Sequence, residues 1–175
     1  MTVSLPVEGA CMCGQVKMRV SAPPIITMAC HCKGCQKLSA SAFSLTAMVP
    51  VDGFEVIEGQ TQIGALHGAN PYHYCPNCLN WLYTGLAGAP FVNVRPTMFS
   101  VPAWSTPFME TCAGEKLPWA KTSAVHSFDR YPLLRGQDMS DRMEFVPQVP
   151  VVVDRLRPKG RVTGDEIAFL KKHVG

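Results

Sequence analysis

The chain has 175 residues, 47% of them hydrophobic and 17% charged, with a formal net charge of +3. A chain of that size and composition folds around a core as one domain, with at most an appendage, and does not stay disordered. Lysine and arginine are scattered, which excludes a polybasic patch for nucleic acid or a membrane surface, and no apolar stretch approaches the roughly eighteen residues of a membrane span. The first residues carry no basic segment followed by an apolar core, so the expectation is a cytoplasmic protein in a reducing compartment.

Residues 14–20 alternate apolar and polar, which predicts a half-buried strand with Val16, Met18 and Val20 inward and Lys17 and Arg19 in water. Pro23 and Pro24 end it. A short apolar run, 25–29, leads into a knot of thiols at Cys30. Residues 36–41 predict one helical turn and 42–49 a strand stopped by Pro50. A second strand follows over 54–58, with 62–67 as its partner. Tyr72-His73-Tyr74, Cys75-Pro76-Asn77-Cys78 and Trp81-Leu82-Tyr83 read as strand, metal knuckle, strand, the layout of a zinc ribbon. Residues 91–95 and 97–101 are two further strands, separated by the Arg95-Pro96 step. Near the end, Thr163-Gly164-Asp165-Glu166 has capping-box form, and Ile167, Phe169, Leu170 and Val174 give one apolar face. A short C-terminal helix is expected there. The expected organisation is a domain over 1–135 and an extension with a linker over 136–175.

Seven of the eight cysteines fall in tight clusters: Cys11-x-Cys13, Cys30-x-Cys32-x-x-Cys35 and Cys75-x-x-Cys78. Neighbours at C-x-C spacing rarely reach disulfide geometry, so the pattern points to a soft divalent metal. A knuckle supplies two sulfurs and needs a second pair. Cys11 and Cys13, before a strand at the other end of the chain's strand system, are the better partners for Cys75 and Cys78. Four thiolates make a closed structural zinc. That leaves Cys30, Cys32 and Cys35 as an open, catalytic-type zinc site, with two zinc ions expected per chain. A closed second site is the competing reading, with His31, His73 or Cys112 as fourth ligand. Cys112 reads otherwise as a buried thiol, and the His31 side chain is expected to point away from the metal. An open thiolate-bound zinc lowers the pKa of an incoming thiol and polarises a carbonyl.

Gly9-Ala10-Cys11-Met12-Cys13-Gly14-Gln15-Val16, Cys30-His31-Cys32-Lys33-Gly34-Cys35-Gln36-Lys37-Leu38-Ser39, Ser41-Ala42-Phe43 and Tyr74-Cys75-Pro76-Asn77-Cys78 resemble, in order, the motifs of the glutathione-dependent formaldehyde-activating enzyme family, which includes the centromere protein V domain. Lys116-Leu117-Pro118-Trp119 and Phe128-Asp129-Arg130-Tyr131-Pro132 are later echoes. The resemblance implies a mainly β, Mss4-like fold of stacked antiparallel sheets. It implies a structural zinc on Cys11, Cys13, Cys75 and Cys78 and a catalytic zinc on Cys30, Cys32 and Cys35. It also implies a carbon–sulfur lyase that condenses glutathione with formaldehyde to S-hydroxymethylglutathione. The chain departs at Leu79-Asn80, where the family usually has glycine; a left-handed backbone is costly for leucine.

Among the other residues, Lys33, Lys37 and Arg95 are candidates for the carboxylates of a tripeptide thiol, with solvated surface positions favoured. Ser39, Ser41 and Phe43 either line the second site or serve as ordinary turn and strand residues. Trp119 is expected as a core anchor. His126 receives no role, and the nine methionines read as packing. The expected partners are a small thiol and a small electrophile, with no nucleic acid and no membrane. The rival from another class is a non-catalytic, zinc-stabilised β module that binds a protein.

Overall fold

The alternation at 16–20 becomes a strand because it puts Val16, Met18 and Val20 on one face, and all three are fully buried. In this computed structural model, which describes residues 4–65, 70–85 and 88–131, the strand is β2 (Lys17–Val20). It lies between β1 (Val7–Ala10) and β5 (Phe54–Glu58), antiparallel to both, in a three-stranded sheet. Its outer face carries ion pairs from Lys17 to Glu58 at 2.6 Å and from Arg19 to Glu8 and Glu55 at 2.8 and 2.9 Å. All are exposed and contribute little.

The second sheet has eight strands. They are β3 (Ile26–Cys30), β4 (Ser44–Pro50), β6 (Gln62–Gly64), β7 (Tyr72–Tyr74), β8 (Trp81–Thr84), β9 (Phe91–Val94), β10 (Met109–Thr111) and β11 (His126–Ser127). Their spatial order is β11-β10-β3-β4-β9-β8-β7-β6. The inner faces of the two sheets close on one core, in which Val16, Met18 and Val20 meet Ala47, Val49, Leu82, Val92 and Val94. Phe54 of β5 meets Tyr83 of β8 edge-on, with ring centroids 4.8 Å apart.

The protein is thus mainly β with one short helix, α1 (Lys33–Ser39). The helix starts three residues earlier than the 36–41 turn expected from sequence. Cys32 caps it by accepting the Cys35 N–H on its sulfur, so the thiol does what a serine or aspartate usually does there.

Other expectations fail. Residues 62–64 pair with β7, and β5 pairs instead with β2. Residues 97–101 do not form a strand. Pro96 opens a tight 3₁₀ turn, Pro96–Met98, and only Phe99 bridges to Gly9. The approach is so close that a Cβ on Gly9 would strike the Met98 carbonyl. The sheets are not wholly antiparallel, since β10 runs parallel to both β3 and β11. The expected C-terminal helix and its linker lie outside the described residues.

Candidate metal centres

The first cluster joins the two sheets. Cys11 and Cys13 sit on the turn between β1 and β2, and Cys75 and Cys78 on the turn between β7 and β8. All four sulfurs lie within 4.8 Å of one another. Cys11 and Cys13 are 3.4 Å apart at sulfur, and Cys13 and Cys75 3.7 Å. A tetrahedral zinc with bonds of about 2.3 Å separates its sulfurs by about 3.8 Å, so the four thiols fit such an ion. Backbone and side-chain donors already face the sulfurs. The Val16 N–H reaches Cys11 at 3.2 Å. Hydrogen bonds from the Asn77 side chain and the Gln15 backbone pull the Cys13 thiol down to about 6. Asn80 ties the turns together, its side-chain oxygen accepting the Met12 N–H at 2.7 Å.

The second cluster is built at the end of β3. Cys30 is its last residue, Cys32 caps α1 and Cys35 lies in the first turn of α1. The three thiols are buried, and their sulfurs lie within 4.8 Å of one another. A fourth thiol joins them. Cys112, which the cysteine spacing leaves alone, is 6% exposed and belongs to the same buried cluster, with Tyr131 packed against it, while its sulfur stands outside the set of three that lie within 4.8 Å of one another. Its thiol hydrogen-bonds with those of Cys30 and Cys32. The sharing is unequal. Cys112 leads the hydrogen bonds that lower Cys30 to about 6 and that lower Cys32 strongly. Cys35 and Cys112 are driven upward by hydrogen bonds to Cys30 and Cys32 and hold their protons. Thiols this crowded ionise together only around a cation. The Tyr131 hydroxyl is 3.5 Å from the Cys30 sulfur. Burial, followed by the charge of Cys30, pushes its pKa far up, so it stays a donor.

A buried cation feels the charge of this cluster. Arg95 was expected at the surface, but it is 7% exposed, with its guanidinium 3.9 Å above the Trp81 ring. It donates to the Asn93 carbonyl at 3.2 Å, and among the described residues no carboxylate pairs with it. Burial lowers its pKa to about 10, against the opposing influence first of Cys35, then of Tyr72, Cys30 and Tyr74.

Behind the cluster runs a polar network that sequence reading missed. His31 is fully buried, edge-on to Phe43, with Nε2 3.1 Å from a Glu110 carboxylate oxygen. Its ring nitrogens are not part of the thiol group that could hold a metal. Glu110 also accepts from Lys116 at 2.7 and 2.9 Å and from Thr122 at 2.8 Å. Burial alone would raise the Glu110 carboxyl, but these partners, with Ser127 and His31, hold it at about 2. His73 is not a fourth ligand here: its Nδ1 is 3.0 Å from the Thr61 hydroxyl and its ring stacks on Tyr83. Lys33 and Lys37 are exposed, and Lys33 donates to Glu115. Ser39 closes α1 through the Cys35 and Phe43 carbonyls. Trp119 is 72% exposed and so is not the core anchor its Leu-Pro-Trp context suggested; Lys116 just before it makes the buried contact instead.

Fold and clusters together define a mainly β protein carrying two sets of thiols, each of which could hold a metal ion. The family described as glutathione-dependent formaldehyde-activating enzyme matches residues 6–113, and the chain belongs to that family. The matched span contains all eight cysteines. No curated protein matches the chain. Among solved structures, a Rhodobacter sphaeroides protein determined as a structural genomics target is similar at 17% identity with a TM-score of 0.45, covering 53% of this chain and 87% of that one.

Proposed function

We propose that the protein is a zinc-dependent carbon–sulfur lyase that adds a small thiol, glutathione by family, to formaldehyde. Cys11, Cys13, Cys75 and Cys78 hold a structural zinc, and Cys30, Cys32 and Cys35 a second, functional one. The observation that carries the reading is the buried Cys30/Cys32/Cys35 set within a chain matched by that family. In the reaction the thiol sulfur bonds to the aldehyde carbon, the carbonyl pair moves onto oxygen, and the thiol proton ends on that oxygen. No oxidant or reductant is needed. A zinc ion, when bound, supplies the charge that makes a thiolate available at neutral pH. The chain's own groups do the rest. Arg95 is a buried cation that offsets the negative charge of the thiolates, and the protonated Tyr131 hydroxyl is a donor available to a developing oxyanion. The His31–Glu110 pair fixes the loop between Cys30 and Cys32. The two-sheet layout suits the Mss4-like class. All eight cysteines are free thiols, which suits a reducing compartment.

The test is the exchange of thiol and aldehyde with adduct, followed by exchange NMR. The zinc-loaded protein should accelerate exchange and Cys32→Ser should not. Equal rates near the uncatalysed value in both would sink the enzyme reading. One observation favours the rival, a zinc-stabilised module for protein binding: Cys112 shares the buried cluster of the three thiols, which would suit a closed second site.

A further inference from the structure

Cys112 reaches the second cluster through a pairing that local sequence does not announce. β10 lies parallel to β3 with Thr111 opposite Cys30, so Cys112 emerges beside the Cys30–Cys35 loop. At Cys112 the backbone turns left-handed, with φ of 56°. That conformation costs a residue with a Cβ about 1–2 kcal/mol and persists where the surroundings over-determine it. Here the surroundings are a hydrogen bond from its N–H to the Arg130 carbonyl at 3.4 Å and one to its own carbonyl from Glu115 at 3.0 Å. The result is a buried group of four thiols, with Cys30, Cys32, Cys35 and Cys112 between 6% and 8% exposed.

Charge supplies an independent argument. A divalent ion with four thiolates carries a net charge of about −2, one with three about −1, and burying either needs nearby compensation. Arg95 is a buried cation with no carboxylate partner among the described residues, and its guanidinium feels the charge of Cys35 and Cys30. Tyr131 adds a hydroxyl at the Cys30 sulfur. The pocket is therefore already furnished for excess negative charge.

The geometry points to Cys112 as the fourth thiolate of the ion held by Cys30, Cys32 and Cys35, so that the second centre is closed at rest. This rests on the two-zinc reading above and adds to it. A substrate thiol has to take the place of Cys112, its proton passing to the sulfur it displaces. Such a site binds its metal firmly without substrate and opens only to a thiol able to compete with Cys112.

Zinc analysis with X-ray absorption at the zinc edge tests this on the full chain, in buffer with a phosphine reductant and no added thiol. With eight thiolates on two ions the wild type should show two zinc per chain and about four sulfurs per zinc. The variant Cys112→Gly tolerates the left-handed backbone and should fold; it should fall to about 3.5 sulfurs per zinc, with a nitrogen or oxygen neighbour replacing the rest. A wild type with two zinc at about 3.5 sulfurs each overturns the role of Cys112 and leaves the two-zinc reading standing. A wild type that retains a single zinc overturns both. The wild-type value decides the matter even if the variant does not fold.

Discussion

At Leu79 the backbone takes φ of 57°, directly after the last thiol of the first cluster, while the side chain is 63% exposed. The family's usual glycine would sit there without penalty. The left-handed turn is kept because the Leu79 N–H must return to the Cys75 carbonyl at 3.0 Å, and the next residue accepts the Cys75 N–H, also at 3.0 Å. That hydrogen-bonded knuckle is what aims two sulfurs at one point. The exposed leucine makes no core contact that would offset the strain. Leu79→Gly should therefore stabilise the zinc-loaded protein by about 1 kcal/mol, strain relief outweighing the extra freedom of the unfolded chain. Thermal and denaturant unfolding of the two proteins would show this, and a lower midpoint for the glycine variant would contradict it.

At the level of elements, Glu110 is the point where β10 meets the β3–α1 loop and the chain at 116–122. One buried carboxylate takes partners from His31, Lys116 and Thr122. Backbone bonds complete the joint, with the His31 N–H donating to the Thr111 carbonyl at 3.0 Å. Glu110→Gln keeps the shape and removes the charge, leaving Lys116 half-buried without its counter-ion. It should cost on the order of 2–3 kcal/mol near neutral pH. The pH dependence has a definite sign. The folded carboxyl is held at about 2 against an ordinary 4.5, so its contribution is complete above about 4.5 and is lost as pH falls toward 2. The stability difference between wild type and Glu110→Gln should shrink across that window. A difference that stays constant down to pH 3 would show that the charge is not what stabilises the joint.

For the whole molecule, the two clusters have different mechanical roles. Cys11 and Cys13 belong to the three-stranded sheet and Cys75 and Cys78 to the eight-stranded one, so the first cluster clamps two layers together. The second lies at the end of β3 and is backed by the Glu110 network. Removing one thiol from the clamp removes metal-coupled folding energy from the joint between the sheets. Cys78→Ser should unfold or precipitate, whereas Cys32→Ser should keep native circular dichroism while holding its second zinc more weakly. Loss of structure in Cys32→Ser would mean that the second centre also holds the fold together.

The inward face of β2, the ribbon around Cys75 and Cys78, and the grouping of seven thiols were legible in the sequence. They were legible because each is a local pattern: a period of two along one strand, or ligands within six residues of one another. The exchange of partners among β2, β5 and β7, the collapse of 97–101 into a turn, and the burial of Arg95 were not, since each depends on which distant segment packs alongside. Trp119 and Lys116 show the same limit from the other side, where the apolar residue is exposed and the charged one is drawn inward by Glu110. Sequence by itself determined a mainly β, cysteine-clustered member of its family, because thiol spacing is written along the chain. Only the tertiary structure decided what surrounds the second cluster. The parallel pairing of β10 with β3 is a long-range contact, and it alone brings Cys112 to the three thiols.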